Sequence, residues 1–228
     1  MTLLKSIGYT ACFGIVILFT GSCMNNTTSS KSGTVIILNG PSSVGKSSII
    51  KAFQAKQSVP WLSIGIDNFF VGVLPPKFYL ESTQEHYVVM RGISSEDKDG
   101  KLFTLEIGEE GQKVIKGMHR AIATYANAGN NVIVDYIKYE QNWIPDLKES
   151  LHGINVIWVG VTASLETIQQ REKKRGTSPE GHARSHYHTV HQNINYDLML
   201  DTDILTPERS ADEIIKFMQD KQIQAKIK

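Results

Sequence analysis

Six side chains of this sequence are of types that suit the handling of phosphate groups. They are one lysine, one serine, two aspartates and two arginines: Lys46, Ser47, Asp67, Asp135, Arg171 and Arg175. Cationic side chains stabilise phosphate oxygens, hydroxyl and carboxylate oxygens suit Mg²⁺, and a carboxylate can take the proton of an attacking hydroxyl. The elements that could bring these side chains together therefore decide what the chain can do.

The most specific pattern is a glycine-rich loop between a strand and a helix. An apolar run ends at Asn39, and G-x-x-x-x-G-K-S follows from Gly40. Glycines reach backbone angles closed to other residues, so N–H groups turn inward around anionic oxygens at the start of a helix. Lys46 then reaches the β- and γ-phosphates, and Ser47 ligates Mg²⁺. The alternative is a plain Gly/Ser turn. The nucleotide-binding residues predicted from the loop are Gly40, Pro41, Ser42, Ser43, Val44, Gly45, Lys46, Ser47 and Ser48.

The composition is that of an ordinary globular chain. Its 228 residues are 41% hydrophobic and 21% charged, which predicts one catalytic domain with one sizeable core. The net charge of +1 is due to Lys5, the only charged residue of 1–23, so the rest of the chain has a net charge of zero. Neither nucleic acid nor an anionic membrane is therefore indicated as a partner of the domain. Both cysteines, Cys12 and Cys23, precede the domain, which therefore has no disulfide and no thiol nucleophile.

The N-terminus resembles an export signal. Residues 1–23 carry one basic residue, an apolar stretch and then small residues before Cys23, as in a bacterial lipoprotein leader. Residues 24–33 are small and polar, typical of a flexible linker, and residues 34–228 follow as the catalytic domain. This pattern predicts a protein that is exported or tethered to a membrane through Cys23. The alternative is translation from Met24 and a cytoplasmic protein with direct access to ATP.

Strands and helices alternate along the domain, which predicts an α/β fold with a doubly wound parallel sheet. Residues 69–80 contain Pro75 and Pro76 and cannot form one uninterrupted helix; a short helix and a loop are expected there. The turn Asp99-Gly100 predicts a hairpin insert within residues 87–107. The five predicted strands are residues 35–38, 61–67, 131–135, 154–160 and 197–201. The later helices are predicted at residues 109–128, 143–151, 164–175, 179–192 and 207–220.

Several stretches together resemble the chloramphenicol phosphotransferase family of P-loop kinases. They are GTVIILNGPSSVGKSSI, PWLSIGIDNF, NVIVDY, INVIWVGVTASLETIQQREKKRG and NYDLMLDT, and they span nearly all of residues 33–220. The resemblance implies a P-loop NTPase fold similar to shikimate and adenylylsulfate kinases, with strand order 2-3-1-4-5. It also implies ATP-dependent transfer of a γ-phosphoryl group, with Mg²⁺, to a hydroxyl of a small molecule. Tyr136 departs from the family, whose members tend to carry an acidic residue there.

The resemblance also implies roles for individual residues. Asp67 matches the family's proposed catalytic base, and a carboxylate near the transferred phosphoryl group suits that role. Arg171 and Arg175 lie four residues apart on one helical face, where lid arginines of such kinases stabilise the charge of the transferred group. Asp135 takes a Walker-B-like place and would hold a Mg²⁺-bound water.

Each of these assignments has a structural alternative. Asp67 could cap a helix starting at Asn68, Asp135 could cap the sheet edge, and the arginines could belong to a solvated face together with Glu172. Four histidines crowd residues 182–191, but no cysteine or convincing carboxylate completes a metal set, so solvated or lid-lining histidines are expected. These are His182, His186, His188 and His191.

Three functions compete at this stage. The first is a small-molecule O-phosphotransferase, for which a pocket containing Phe69, Phe70 and Tyr79 beside Asp67 would point to an aromatic acceptor such as chloramphenicol. The second is a nucleotide-binding regulator without transferase activity, and the third a toxin-like kinase of a nucleotide sugar or polynucleotide. A GTPase is disfavoured because the sequence has no N-K-x-D motif.

Overall fold

The structure is a computed structural model that describes residues 32–75, 79–80 and 90–227. For residues 79–80 and 222–227 it describes the backbone only. The predicted leader 1–23, its Cys23 and residues 24–31 of the linker lie outside the described residues. Over the part of the chain described here, no helix combines the length and the apolar character needed to cross a membrane.

A five-stranded parallel sheet forms the centre of the domain. Its order, β2-β6-β1-β7-β8, is the predicted 2-3-1-4-5, because the hairpin insert contributes the strands in between. The middle strand is buried on both faces, as Ile36 and Ile37 are each 0% exposed, which is typical of a parallel strand covered by helices on either side. The five strands are β1 Thr34–Asn39, β2 Trp61–Gly65, β6 Asn131–Tyr136, β7 Asn155–Thr162 and β8 Leu198–Asp201.

Helices cover both faces of this sheet and create two hydrophobic clusters. The side chain of Ile37 belongs to the cluster beneath α3 and α4, and that of Ile36 to the cluster beneath α1, α5 and α7. The helices are α1 Lys46–Ala55, α2 Ile66–Phe70, α3 Glu109–Asn127, α4 Trp143–Ser150, α5 Leu165–Arg175, α6 His182–Ser185 and α7 Pro207–Ile227.

The predicted hairpin is present between the second and third sheet strands. β4 Met90–Asp97 pairs antiparallel with β5 Gly100–Ile107, and Gly100 adopts the left-handed backbone that the tight turn requires (φ 110°). A two-residue strand, β3 Tyr79–Leu80, pairs parallel with β4, where the sequence predicted a loop. The start of the predicted insert, residues 87–89, lies outside the described residues.

The hairpin tip is fastened to α6 on the far side of the cleft. Arg184 donates from Nη1 and Nη2 to the two carboxylate oxygens of Asp97, at 3.1 and 2.9 Å, and also to the carbonyl oxygen of Lys101. Lys101 in turn binds Glu180 at 3.0 Å. The hairpin tip is therefore held against residues 180–184.

Besides β3, three predicted elements differ from the structure in extent. The last helix, α7, runs to Ile227 rather than to residue 220. The helix predicted at 179–192 is only the four-residue α6, followed by turns through residue 193. Side chains and carbonyls of those turns bond to residues distant in sequence, such as Asn39 to the carbonyl of Val190, and these bonds replace the helical pattern. The second strand ends at Gly65 rather than at residue 67, since α2 begins at Ile66.

Candidate active site

The phosphate loop has the tight geometry that its glycines predict. Gly45 adopts φ 105°, and a Cβ at Gly40 would meet the carbonyl oxygen of Val161 on the neighbouring strand. Ser43 also lies in the left-handed region, at φ 63°, which is costly for a residue with a side chain. The loop leads directly into α1 at Lys46, so the helix N-terminus and the loop N–H groups share one anion-binding position.

Lys46 lies at the floor of this loop and is only 4% exposed. Its Nζ donates to the carbonyl oxygens of Gly40 (2.9 Å) and Pro41 (3.0 Å) and lies 3.4 Å from the Asp135 carboxylate. Burial lowers the pKa of Lys46, and the charge of Asp135 opposes that shift. The ammonium group is thus held beside the loop, in reach of a phosphate placed there.

Ser47 and Asp135 meet on the other side of the loop. The Ser47 hydroxyl donates to Asp135 Oδ2 at 2.6 Å, because the C-terminal end of β6 lies next to the start of α1. A hydroxyl and a carboxylate are hard oxygen donors, and with phosphate oxygens and water they form the kind of set that Mg²⁺ takes. The contact of Asp135 with Ser47 and Lys46 argues against a mere cap of the sheet edge. Among the described residues, no group of three or more His, Cys, Asp or Glu side chains is placed to hold a metal alone.

Asp67 lines the same cavity as the loop. It is the second residue of α2, whose first turn is closed by Asn68 Oδ1 accepting from the backbone N–H of Gly65 at 2.7 Å. The expectation that Asp67 might cap a helix beginning at Asn68 is therefore wrong, because the helix starts two residues earlier and Asn68 makes the cap. Partial burial and the charge of Asp135 raise the pKa of Asp67, while Lys46 lowers it.

The two arginines of α5 have different surroundings. Arg171 is partly buried and donates to the carbonyl oxygen of Val44 (3.2 Å) and to the hydroxyl and carbonyl of Thr202 (2.9 and 2.8 Å). Arg175 is exposed to the cavity and donates to the hydroxyl of Ser42 at 3.2 Å. Arg171 thus holds the loop through Val44. Arg175 also donates to the hydroxyl of Ser178 at 2.6 Å. Both arginines line the cavity, so either guanidinium group could face a transferred phosphoryl group.

Besides the loop and Asp67, the cavity is lined by a largely apolar group of side chains, called here its apolar end. Its whole volume is about 1150 Å³, and the side chains at this end come from α2, the hairpin, the segment after β6 and α6. Phe70 lines it as predicted, whereas Phe69 packs on the hydrophobic core, and the side chain of Tyr79 lies outside the described residues. The lining residues at this end are Ile66, Phe70, Met90, Phe103, Leu105, Ile137, Tyr139 and His182.

The histidines of residues 182–191 are not a solvated group. His182 and His186 are buried, His191 is partly buried, and only His188 is exposed. His182 lines the cavity, where its Nε2 is 3.0 Å from the hydroxyl of Tyr139. The expectation of solvated histidines is wrong for His182 and His186, which are buried. His182 lines the cavity, and a lid-lining role for it stays a prediction.

Sequence reasoning missed one buried carboxylate in this region. Glu172 is 3% exposed, and its two oxygens accept from the backbone N–H groups of Gly181 (2.9 Å) and Ala183 (2.7 Å). The expectation of a solvated charged face therefore fails at Glu172. Nothing in the sequence indicated this burial, because the run E-K-K-R at residues 172–175 is typical of an exposed helix face. The carboxylate is buried because α6 packs back onto α5.

A second missed group lies behind the sheet. Tyr136, where the family tends to be acidic, is fully buried, and its hydroxyl is 2.9 Å from Nε2 of His119. Nδ1 of the same imidazole lies 2.6 Å from Asp146. Burial raises the pKa of Tyr136 well above its usual range. These contacts join Tyr136 to His119 and Asp146, and they hold β6, the strand that also carries Asp135, against α3 and α4.

A parallel sheet with this strand order, a phosphate loop after its first strand and a carboxylate pair beside that loop define a P-loop kinase of the phosphotransferase class. The sequence profile of the chloramphenicol phosphotransferase-like proteins matches residues 33–219, and the chain belongs to that family. The recognition made from the sequence is confirmed.

Known relatives agree with this assignment. A Mycobacterium tuberculosis (strain H37Rv) protein with the provisional name O-phosphotransferase Rv2636 is 33% identical over 188 residues, which cover 82% of this chain and 83% of that protein. The APS kinase CysC of Mycobacterium tuberculosis, solved with AMPPNP and APS, has a TM-score of 0.56 at 16% identity, covering 82% of this chain and 98% of the kinase.

A gluconokinase from Sinorhizobium meliloti 1021 is similar in fold. Its TM-score is 0.53 at 15% identity, and the match covers 85% of this chain and 98% of the gluconokinase. At these identities the likeness to both solved kinases shows the fold alone.

Proposed function

We propose that the protein transfers the γ-phosphoryl group of ATP to a hydroxyl of a small, partly apolar molecule, with Asp67 as the general base. The observation that carries this proposal is the shared cavity. Lys46, Ser47, Arg175 and Asp67 line it together with the apolar side chains. Asp67 is close enough to Lys46 and Arg175 for their charges to lower its pKa. A protein that only binds the nucleotide needs the cationic side chains and the serine. A transferase also needs a base close to both the γ-phosphoryl group and the acceptor hydroxyl.

The proposed step moves one phosphoryl group and one proton. The acceptor oxygen forms a bond to the γ-phosphorus as the bond from that phosphorus to the β–γ bridging oxygen breaks, which releases ADP. The hydroxyl proton goes to the Asp67 carboxylate. The raised pKa of Asp67 makes it a stronger base than an ordinary aspartate, although it must be ionised to act.

The cationic side chains stabilise the charge that spreads over the phosphoryl oxygens during transfer. Lys46, freed from the carbonyls of Gly40 and Pro41, reaches the β- and γ-phosphates, and Arg175 approaches from α5 on the opposite side. Mg²⁺, which Ser47 and Asp135 would hold, supplies further neutralisation of the phosphate charge when bound. The family resemblance also implies a catalytic role for Arg171. That role stays a hypothesis, because the guanidinium group of Arg171 is already bonded to Val44 and Thr202.

The apolar end of the cavity supports an acceptor with an aromatic or aliphatic body next to its hydroxyl. Phe70, Phe103, Leu105 and Tyr139 supply apolar surface there, and His182 supplies one polar ring nitrogen. Chloramphenicol combines an aromatic ring with hydroxyl groups and is therefore the first compound to test. A kinase of polynucleotides fits this apolar end poorly, since it would need a basic groove.

The direct test is phosphoryl transfer with a matched pair of variants. The protein is incubated with ATP, Mg²⁺ and either chloramphenicol or a metabolite extract, and mass spectrometry finds any compound that gains one phosphoryl group. Asp67→Asn should lower the transfer rate on the order of a hundredfold or more while Mg·ATP binding persists. Asp220→Asn, at an exposed position of α7, is the control and should leave the rate unchanged.

Two outcomes would refute parts of this proposal. If Asp67→Asn transfers phosphate at the wild-type rate, another group is the base. If the protein binds ATP tightly and no compound in a broad screen of hydroxyl compounds gains a phosphoryl group, the nucleotide-binding regulator is the better description.

A further inference from the structure

The phosphate loop contains one residue whose backbone is under strain. Ser43 has φ 63°, a left-handed conformation that is costly for a residue with a side chain. Such a conformation persists only where the surrounding structure holds the chain on both sides. The bonds to the two neighbours of Ser43 therefore determine the shape of the loop.

The residue after Ser43 is held by two donors. The carbonyl oxygen of Val44 accepts from the hydroxyl of Thr202 at 2.8 Å and from Nη1 of Arg171 at 3.2 Å. Both donors lie on the α5 and β8 side of the loop. This side of the strained residue is firmly anchored.

The residue before Ser43 is held by a histidine. The backbone N–H of Ser42 donates to Nε2 of His186 at 3.0 Å, and the histidine is buried, with 4% of its surface exposed. Because Nε2 accepts this bond, the ring proton lies on Nδ1, which faces the hydroxyl of Ser185 at 3.3 Å. Only the neutral imidazole can act in this way.

The surroundings of His186 keep it neutral. Burial, the neighbouring His182 and the charge of Lys46 lower the pKa of His186 well below its usual value, and the ring of Tyr139 packs edge-on against it at 5.0 Å. His186 is not among the residues that line the cavity, and it contacts the phosphate loop through the bond from the Ser42 N–H. Its effect must therefore pass through Ser42.

We infer that His186 is a positioning residue that holds the first half of the phosphate loop in the shape that binds the phosphates of a nucleotide. This rests on the proposed function in that the loop must bind a nucleotide. The Ser42 N–H is thereby reserved for His186 and does not serve as a phosphate ligand. The other loop N–H groups are left to the phosphates.

Two substitutions at His186 separate its hydrogen bond from its bulk. His186→Leu removes the acceptor and leaves the Ser42 N–H buried without a partner, whereas His186→Gln keeps an acceptor at about the reach of Nε2. The exposed His188→Leu, two residues along the chain, is the matched control. Binding of Mg·ATP to each full-length protein is measured by titration calorimetry, which reports affinity and binding-competent fraction separately.

We expect His186→Leu to weaken Mg·ATP binding by about three- to tenfold, the effect of one lost hydrogen bond. His186→Gln should stay within about twofold of wild type, and His188→Leu should match it. A merely structural role would reduce the binding-competent fraction with the affinity unchanged. If His186→Leu fails to fold, the comparison of His186→Gln with His186→Asn, whose shorter side chain does not reach Ser42, takes its place.

Three results would overturn the inference: wild-type affinity in His186→Leu, equal weakening in His186→Leu and His186→Gln, or wild-type affinity in His186→Asn. Failure of the proposed function looks different. In that case the wild-type protein itself either does not bind Mg·ATP or binds it without transferring phosphate, whatever stands at position 186.

Discussion

Acidification should destabilise the folded protein through His182. This histidine is 9% exposed and lies near the positive charges of Arg175 and Lys46, and burial with those charges lowers its pKa to about 4. An unfolded chain binds the proton at the ordinary value of 6.5. The stability contributed by the neutral ring is therefore complete above pH 6.5 and is lost as the pH falls through that value toward 4.

The magnitude follows from the two pKa values. Between pH 7 and pH 5, His182 alone should lower the free energy of unfolding by about 2 kcal/mol. Urea unfolding followed by circular dichroism measures that free energy at each pH for wild type and for His182→Gln, which keeps a polar side chain but does not titrate. The variant should lose about 2 kcal/mol less than wild type over the same interval.

The buried His119 also contributes to acid sensitivity, but it is unchanged in the variant and drops out of the difference. His186 lies beside His182, which helps to lower its pKa, so the difference reports His182 together with its effect on His186. Replacement of the exposed His188 by Gln should leave the pH dependence as in wild type. Parallel curves for wild type and His182→Gln would refute the reasoning, because they would mean that His182 binds its proton equally well in the folded and unfolded chain.

Three further substitutions test the loop and its support. Ser47→Ala should remove most of the strengthening of ATP binding by Mg²⁺, measured by calorimetry with and without the metal; an undiminished Mg²⁺ effect would contradict the assignment of this hydroxyl. Glu172→Gln should lower the free energy of unfolding by about 1–3 kcal/mol, because an amide cannot accept from both backbone N–H groups as the carboxylate does, while the exposed Glu166→Gln should change it little. Gly40→Ala should abolish nucleotide binding, since its Cβ would collide with a carbonyl oxygen of the neighbouring strand, whereas Gly117→Ala, which has open space, should bind normally.

Short-range patterns in the sequence were sufficient to predict the phosphate loop and the strands of the parallel sheet. The apolar run before Asn39 and the glycines that follow determine a strand, a turn and a helix N-terminus within a few residues of each other. Asp135 was recognised as a strand-end acid, and its contact with Ser47 follows once the third predicted strand lies next to the first. Strand order itself came from the family resemblance and not from periodicity.

The sequence misled where contacts between distant residues outweigh local pattern. The charged run around Glu172 is typical of a solvated helix face, yet α6 folds back and buries that carboxylate. The predicted helix at 179–192 is reduced to four residues, because its backbone and histidines bond to the phosphate loop and to Asn39 instead.

The sequence by itself thus determined that a loop of the phosphate-binding type follows the first strand, because that loop is encoded in consecutive residues whose backbone geometry is local. Only the tertiary structure decided that Asp67 lines the same cavity as the loop. It also decided that Arg171 bonds to the loop at Val44, and that Arg175 and His186 both bond to it at Ser42. These roles depend on distances between side chains that are up to 144 positions apart in sequence, as in the bond from Ser42 to His186, and no local pattern encodes such distances.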